Sequence, residues 1–217
     1  MRRFLLALVA SLAFAGVAQA QTPCIGVGGV NNVPQVGLSC SQEPAVDTYV
    51  ATGIGIVPVA AGATDVACLT GSATRVVRLQ NVRVSGSATT LVNVPVSLLK
   101  RAVADTAGTL ATTTALPVPY RMDSNDSAPS ATTTAWVTVN PTINDATPGI
   151  VDTQIVGLQL PGTTLNNAAL NFNYLSHPYS EAPTLRGIAQ QLCINFNTTA
   201  VTAGLVNISF QWTEALQ

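Results

Sequence analysis

Few residues in this chain have the types and spacing that chemistry needs. His177 is the single histidine, so any Ser–His–Asp arrangement would have to use it. It lies in the Pro-broken stretch Ser176-His177-Pro178-Tyr179, and the sequence holds no G-x-S-x-G elbow, H-E-x-x-H, P-loop or G-x-G-x-x-G. An exposed loop imidazole is the expected reading, and the chain is expected not to be an enzyme. Asp123-Ser124-Asn125-Asp126-Ser127 crowds oxygen ligands, which makes Asp123, Asn125 and Asp126 the calcium candidates. The cluster lacks the glycine and distal glutamate of an EF-hand loop, and Asp and Asn are also ordinary turn formers. No other cofactor is expected. Tyr174, His177 and Tyr179 sit close together and read as a binding loop. With Trp136 they are the aromatics available for a sugar or protein contact, although aromatics make up 5% of the chain and core packing is their commoner role.

Cys24, Cys40, Cys68 and Cys193 are even in number and allow three pairings. The expected map is Cys24 with Cys40 and Cys68 with Cys193. The first would close a short loop, stabilising by about 3 kcal/mol in the chain-entropy model, and would tie a Gly- and Pro-rich arm. The second would staple an early strand to a late one across the fold. Zinc is the competing use of four cysteines, but no C-x-x-C spacing and no neighbouring histidine favour it.

These residues must be held by strands. In 205–214, Val206, Ile208, Phe210 and Trp212 alternate with Asn207, Ser209, Gln211 and Thr213, the period of a half-buried strand. In 190–196, Leu192, Ile194 and Phe196 point one way and Cys193 and Asn195 the other. Further strands are expected at 47–59, 64–70, 74–85, 90–99, 132–139, 151–160, 169–175 and 184–188. Within 74–85, Val77 and Leu79 share one phase and Val82 and Val84 another, so a β-bulge is expected near Gln80-Asn81. Pro95 cannot donate to a ladder, which suggests an edge strand for 90–99. The Thr/Ala/Pro-rich 102–130 reads as a long loop, functional or flexible, with a short strand near 115–118. Short strands separated by Gly, Pro, Asn and Ser turns give the expected fold: all-β, an antiparallel jelly-roll-like sandwich of about eight or nine strands.

The first twenty residues read as a cleaved signal peptide. Arg2 and Arg3 precede an apolar run, and Ala18-Gln19-Ala20 forms the cleavage site. Residues 21–46 follow as the arm and 47–217 as the sandwich domain. Cleavage removes two of nine basic residues and none of the ten acidic ones. Charged residues are 9% of the chain and no basic patch exists, so nucleic acid is not an expected partner. No later run is long enough to span a bilayer. A secreted, periplasmic or extracellular location is expected, and 47% hydrophobic content argues against disorder.

Taken in order, DVACLTGSATRVVRLQNVRVSG, LLKRAVADTAGT, MDSNDSAPSATTTAWVTVNPT, TLRGIAQQLCINFN and ISFQWTE resemble a group of small β-rich proteins encoded in tailed-phage and prophage genomes. The resemblance implies a virion structural role: capsid decoration, or a tail- or fibre-associated module. It implies protein partners or self-association as a homo-oligomer, and no active-site residues. The export signal leaves a second reading open, an exported bacterial adhesive or a carbohydrate- or calcium-dependent module that binds cell-surface glycan.

Overall fold

The computed structural model describes residues 46–160, 169–175 and 181–216. The signal segment, the arm, the Cys24–Cys40 pairing, His177 and Tyr179 lie outside the described residues. Eleven strands are present: β1 (Asp47–Ile56), β2 (Ala63–Thr70), β3 (Arg75–Ser87), β4 (Val92–Arg101), β5 (Val118–Arg121), β6 (Thr132–Ala135), β7 (Gly149–Leu158), β8 (Leu170–Asn173), β9 (Thr184–Arg186), β10 (Gln191–Thr199) and β11 (Leu205–Leu216). One antiparallel sheet has the order β5-β1-β11-β3-β8, with β9 also beside β3; the other has the order β6-β2-β10-β4-β7. Without the short strands β5, β6 and β9, the sheets are β1-β11-β3-β8 and β2-β10-β4-β7. Among these eight strands the chain changes sheet at each step from β1 to β4, and again from β7 to β8, from β8 to β10 and from β10 to β11. That is the double Greek key of a jelly roll. The three extra strands take the count past the expected eight or nine without altering that order. Among the described residues no helix is long and apolar enough to cross a membrane.

Alternation builds the core. Val206, Ile208, Phe210 and Trp212 on β11 are all fully buried, as are Val94, Val96 and Leu98 on β4. Removing each such side chain from water contributes roughly 1.5–3 kcal/mol. Strand β11 is central, paired along its length with β1 on one side and β3 on the other. The bulge lies where the phase slip of β3 places it. Leu79 opposes Trp212 and Asn81 opposes Gln211, so Gln80 has no partner on β11. Its carbonyl instead accepts the Tyr174 amide at 2.9 Å. Val77, Leu79, Val82 and Val84 are thereby all buried on the core side despite the three-residue step. At Gly86 the two chains approach so closely that a Cβ would lie 2.4 Å from the Leu205 carbonyl oxygen.

Two sequence expectations need correction. Strand β4 is not an edge: it lies between β10 and β7. Pro95 is tolerated because the β10 ladder stops at Ser97, and the Pro95 carbonyl accepts from Asn197 Nδ2 at 2.9 Å. The missing N–H therefore faces the flank where backbone pairing has already ended. The short strand foreseen near 115–118 falls at Val118–Arg121, after a 3-10 turn at Thr113–Ala115. On β10 the face opposite Leu192, Ile194 and Phe196 is covered as well, for Cys193 and Asn195 are both buried. A second layer of chain covers that face.

Candidate functional site

The covering layer is the segment 102–148 between β4 and β7, which passes along one side of the sandwich. It adds β5 to the edge of one sheet and β6 to the edge of the other. It also pairs with itself: Ala111 N donates to Ala135 O at 2.8 Å, Val137 N to Thr109 O at 2.8 Å, and Thr106 bridges Thr142. Trp136 N donates to Val66 O at 2.9 Å, fixing the layer to β2. The Thr/Ala/Pro stretch is thus a hydrogen-bonded wrap rather than an open loop.

The head of the wrap is held by buried charge. Arg101 ends β4 with its side chain 2% exposed. Its Nε donates to Asp65 Oδ2 at 2.5 Å, and its Nη1 donates to the Asp145 carbonyl at 2.8 Å. Ala102 N donates to Asp145 Oδ2 at 2.7 Å, and Asn195 Nδ2 donates to the other oxygen of Asp65 at 2.5 Å. Asp105 N donates to Gln191 Oε1 at 2.9 Å. Local register explains how Asp65 reaches this face. Asn195 opposes Asp65 while Ile194 opposes Ala67, so Val66 is the extra residue of a bulge. The bulge re-aims a side chain, placing Asp65 and Cys68 on one face although they are three apart.

Asp105 differs from its neighbours. Its carboxylate oxygens are buried without a hydrogen-bond partner, and Oδ2 lies 3.5 Å from Arg101 Nε. Burial, then the adjoining Asp65 carboxylate, push its pKa up to about 7, against the pull of Arg101. The two carboxylates therefore share this corner with one guanidinium, and Asp105 keeps its proton close to neutral pH.

Beside them Cys68 and Cys193 form a disulfide. They oppose one another in the β2–β10 ladder, so the bond joins neighbours within one sheet instead of crossing between sheets. The sequence-distant strands are stapled as expected, but side by side. Trp136 packs with the two cysteines and donates Nε1–H to Ala107 O at 3.0 Å. Gly108 has φ +75° and approaches so closely that a Cβ would sit 2.7 Å from the Trp136 ring. Trp136 is 3% exposed and offers no face to a sugar.

The far end of the wrap is fixed by carboxylates of the other sheet. Glu214 accepts from Ser130 N (3.0 Å), Ser130 Oγ (2.5 Å), Ala131 N (2.9 Å) and Trp212 Nε1 (3.0 Å). Asp47 accepts from Arg75 Nη1 at 2.6 Å and from Ser127 Oγ. The Ser127 hydroxyl, then Arg75, hold Asp47 below the usual carboxylate range. Asp65, Arg101, Asp105 and Glu214 are the charged residues buried among the described residues, and each serves one end of the wrap. In a chain so poor in charge, that allocation ties the wrap to both sheets through buried charge.

Asp123, Asn125 and Asp126 lie on this wrap. Asn125 N donates to Asp123 Oδ1 at 2.9 Å and Asp126 N to the Asp123 carbonyl at 3.1 Å, while Asp126 Oδ2 accepts from Thr48 N at 3.0 Å. They form a turn tethered to β1. Tyr174, half-buried, lines a cleft of about 480 Å³ with Lys100, Asp152, Asn173 and Glu181. Its buried hydroxyl has no partner among the described residues, and burial, then Asp152, push it up to about 12. The sequence did not bring out Asp65, Arg101, Asp105 or Glu214. A rare charge inside an apolar strand was the only signal for Asp65, Arg101 and Glu214, and Asp105 stands in the Thr/Ala/Pro-rich stretch after β4. No family model, curated protein or solved structure matches the chain.

Proposed function

We propose that this chain is a non-enzymatic, phage-related structural protein, a virion decoration or tail- or fibre-associated module, that binds protein partners or copies of itself through the wrap. The observation that carries this reading is the anchoring of 102–148 by the buried charged residues at both ends. Fixing a long surface segment in one shape lowers the ordering cost of binding through it. The segment also presents apolar side chains outward. Val118, Tyr120 and Met122 recur at every second position on and just after the edge strand β5, each more than half exposed. Contiguous exposed apolar surface is a mark of interaction sites. They adjoin a shallow concavity lined by Pro119, Arg121, Ser124 and Pro129. Jelly rolls serve in capsid and lectin domains, which agrees with the reading by analogy of fold alone.

The experiment is co-sedimentation. Wild-type chain in an expressing culture is expected to travel with phage-sized particles on a density gradient, or to form a defined oligomer by analytical ultracentrifugation. Tyr120→Ser with Met122→Ser should abolish that association while leaving the fold intact. A monomer that meets no particle, unaltered by the double substitution, contradicts the reading. The polar cleft beside Tyr174 favours the second reading, an exported adhesive module that binds glycan. Glycan-array binding lost on Asp152→Asn would select it.

A further inference from the structure

One carboxylate oxygen each from Asp65 and Asp105 and the sulfurs of Cys68 and Cys193 lie within 4.8 Å of one another, and all four residues are buried. In a tetrahedral site with metal–sulfur bonds of about 2.3 Å and metal–oxygen bonds of about 2.0–2.2 Å, ligand atoms stand roughly 3.5 Å apart. Small side-chain rotations convert one arrangement into the other once the sulfurs are free to separate. Asp105 supplies an independent observation. Its side chain is fully buried, faces this cluster, and receives no hydrogen bond on either oxygen. The neighbouring cation, Arg101, is already committed to Asp65 at 2.5 Å and to the Asp145 carbonyl. A buried carboxyl whose nearest cation stands at 3.5 Å and is shared with Asp65 is under-compensated, and a dication would supply the missing charge.

We propose that, when the disulfide is reduced, Asp65, Cys68, Asp105 and Cys193 bind one divalent cation of the zinc class, and that oxidation closes the site. A dithiol reductant supplies two electrons and two protons, becoming a disulfide itself and leaving Cys68 and Cys193 as thiols. The cation then displaces both thiol protons, and the proton Asp105 carries, to solvent, and both aspartates ligate as carboxylates. Two thiolates and two carboxylates against the dication and Arg101 leave one net negative charge. Arg101 remains on Asp65 as an outer partner that fixes the ligand's orientation. The site thereby distinguishes a reducing from an oxidising compartment.

The test uses the full chain with Cys24→Ser and Cys40→Ser, so that the pair in β2 and β10 holds the remaining thiols. It is reduced with dithiothreitol, desalted without oxygen and titrated with cobalt, then zinc. The expected result is one cobalt per chain, with thiolate-to-cobalt charge transfer and tetrahedral ligand-field bands, displaced by zinc. Asp105→Asn and Asp65→Asn should each weaken zinc on the order of tenfold or more, and the oxidised chain should take up none. Circular dichroism accompanies each sample. If the reduced chain loses its β signal, recovery of that signal on adding zinc supports the site, because metal binding then drives folding. No uptake by the reduced chain, folded or unfolded, overturns the proposal. So does equal uptake by the oxidised chain, or unchanged affinity in both aspartate variants.

Discussion

Glu214 and Asp105 are both buried carboxylates that stand at opposite ends of one segment, and their surroundings are opposite. Glu214 gathers two backbone amides, a hydroxyl and an indole N–H. No side chain donates a well-formed hydrogen bond to the Asp105 carboxylate, which sits against a second carboxylate and draws only on Arg101 at 3.5 Å and the Asn144 backbone. A buried carboxylate with a full set of donors is a fastening; one without donors is a group held for something else or a source of instability. The same wrap is thus tight at one end and electrostatically poised at the other.

The comparison breaks most severely at the cation both aspartates share. Arg101→Ala should lower the unfolding free energy by about 3–5 kcal/mol, because it leaves Asp65 charged and buried without its partner. Urea titration reads this, and a loss below about 1 kcal/mol would mean that Asp65 finds another donor. Trp212→Ala should cost a similar ~3–5 kcal/mol, since it removes a fully buried ring stacked on Tyr49. Glu214→Gln should cost less, on the order of 2 kcal/mol, as converging donors lose a charged acceptor. Asp105→Asn should cost nothing at pH 8 and is expected to stabilise. Equal losses in these last two variants would erase the contrast between the two ends.

The pH dependence sharpens it further. The pKa of Asp105 is raised from 3.8 to about 7 in the folded chain, so the folded state holds a proton that the unfolded state has released. Stability from this group is full below about pH 4, falls as pH rises, and is lost above about pH 7. Asp65 and Arg101 are the charged groups that act on it, together with the Asn144 backbone. Asp47 acts in the opposite sense, its lowered pKa giving stability that is lost as pH falls below 3.8. Melting temperature followed across neutral pH should therefore decline in the wild type and flatten in Asp105→Asn. A parallel decline in both would place the titration elsewhere. The smallest effect belongs to the surface: Tyr120→Ser should change stability by less than about 0.5 kcal/mol while weakening association.

The inter-sheet core was legible because a two-residue period leaves little freedom. Val206 through Trp212, Val94 through Leu98, and the slip between Leu79 and Val82 each name a face without any knowledge of partners. The site was not legible, for three physical reasons. Cys193 and Asn195 share the strand face opposite Leu192, Ile194 and Phe196, and alternation alone does not say that a tertiary layer covers it. Asp65 reaches its face through a bulge that no apolar pattern announces, and Asp65, Arg101 and Asp105 meet through strand register. Thr-, Ala- and Pro-rich composition, finally, looks alike in an open loop and in a wrap closed by ladder bonds. Pro95 misled for a related reason: its cost depends on where a neighbouring ladder ends.

Hydrogen–deuterium exchange of the intact chain tests the central claim, that 102–148 is a clamped layer, most directly. The amides of Asp105, Ala111, Trp136 and Val137 each have a named acceptor. They should exchange nearly as slowly as those of β10, and Glu214→Gln should release Ser130 and Ala131 first. Exchange of those four amides at the rate of an open loop in the wild-type chain would contradict the account.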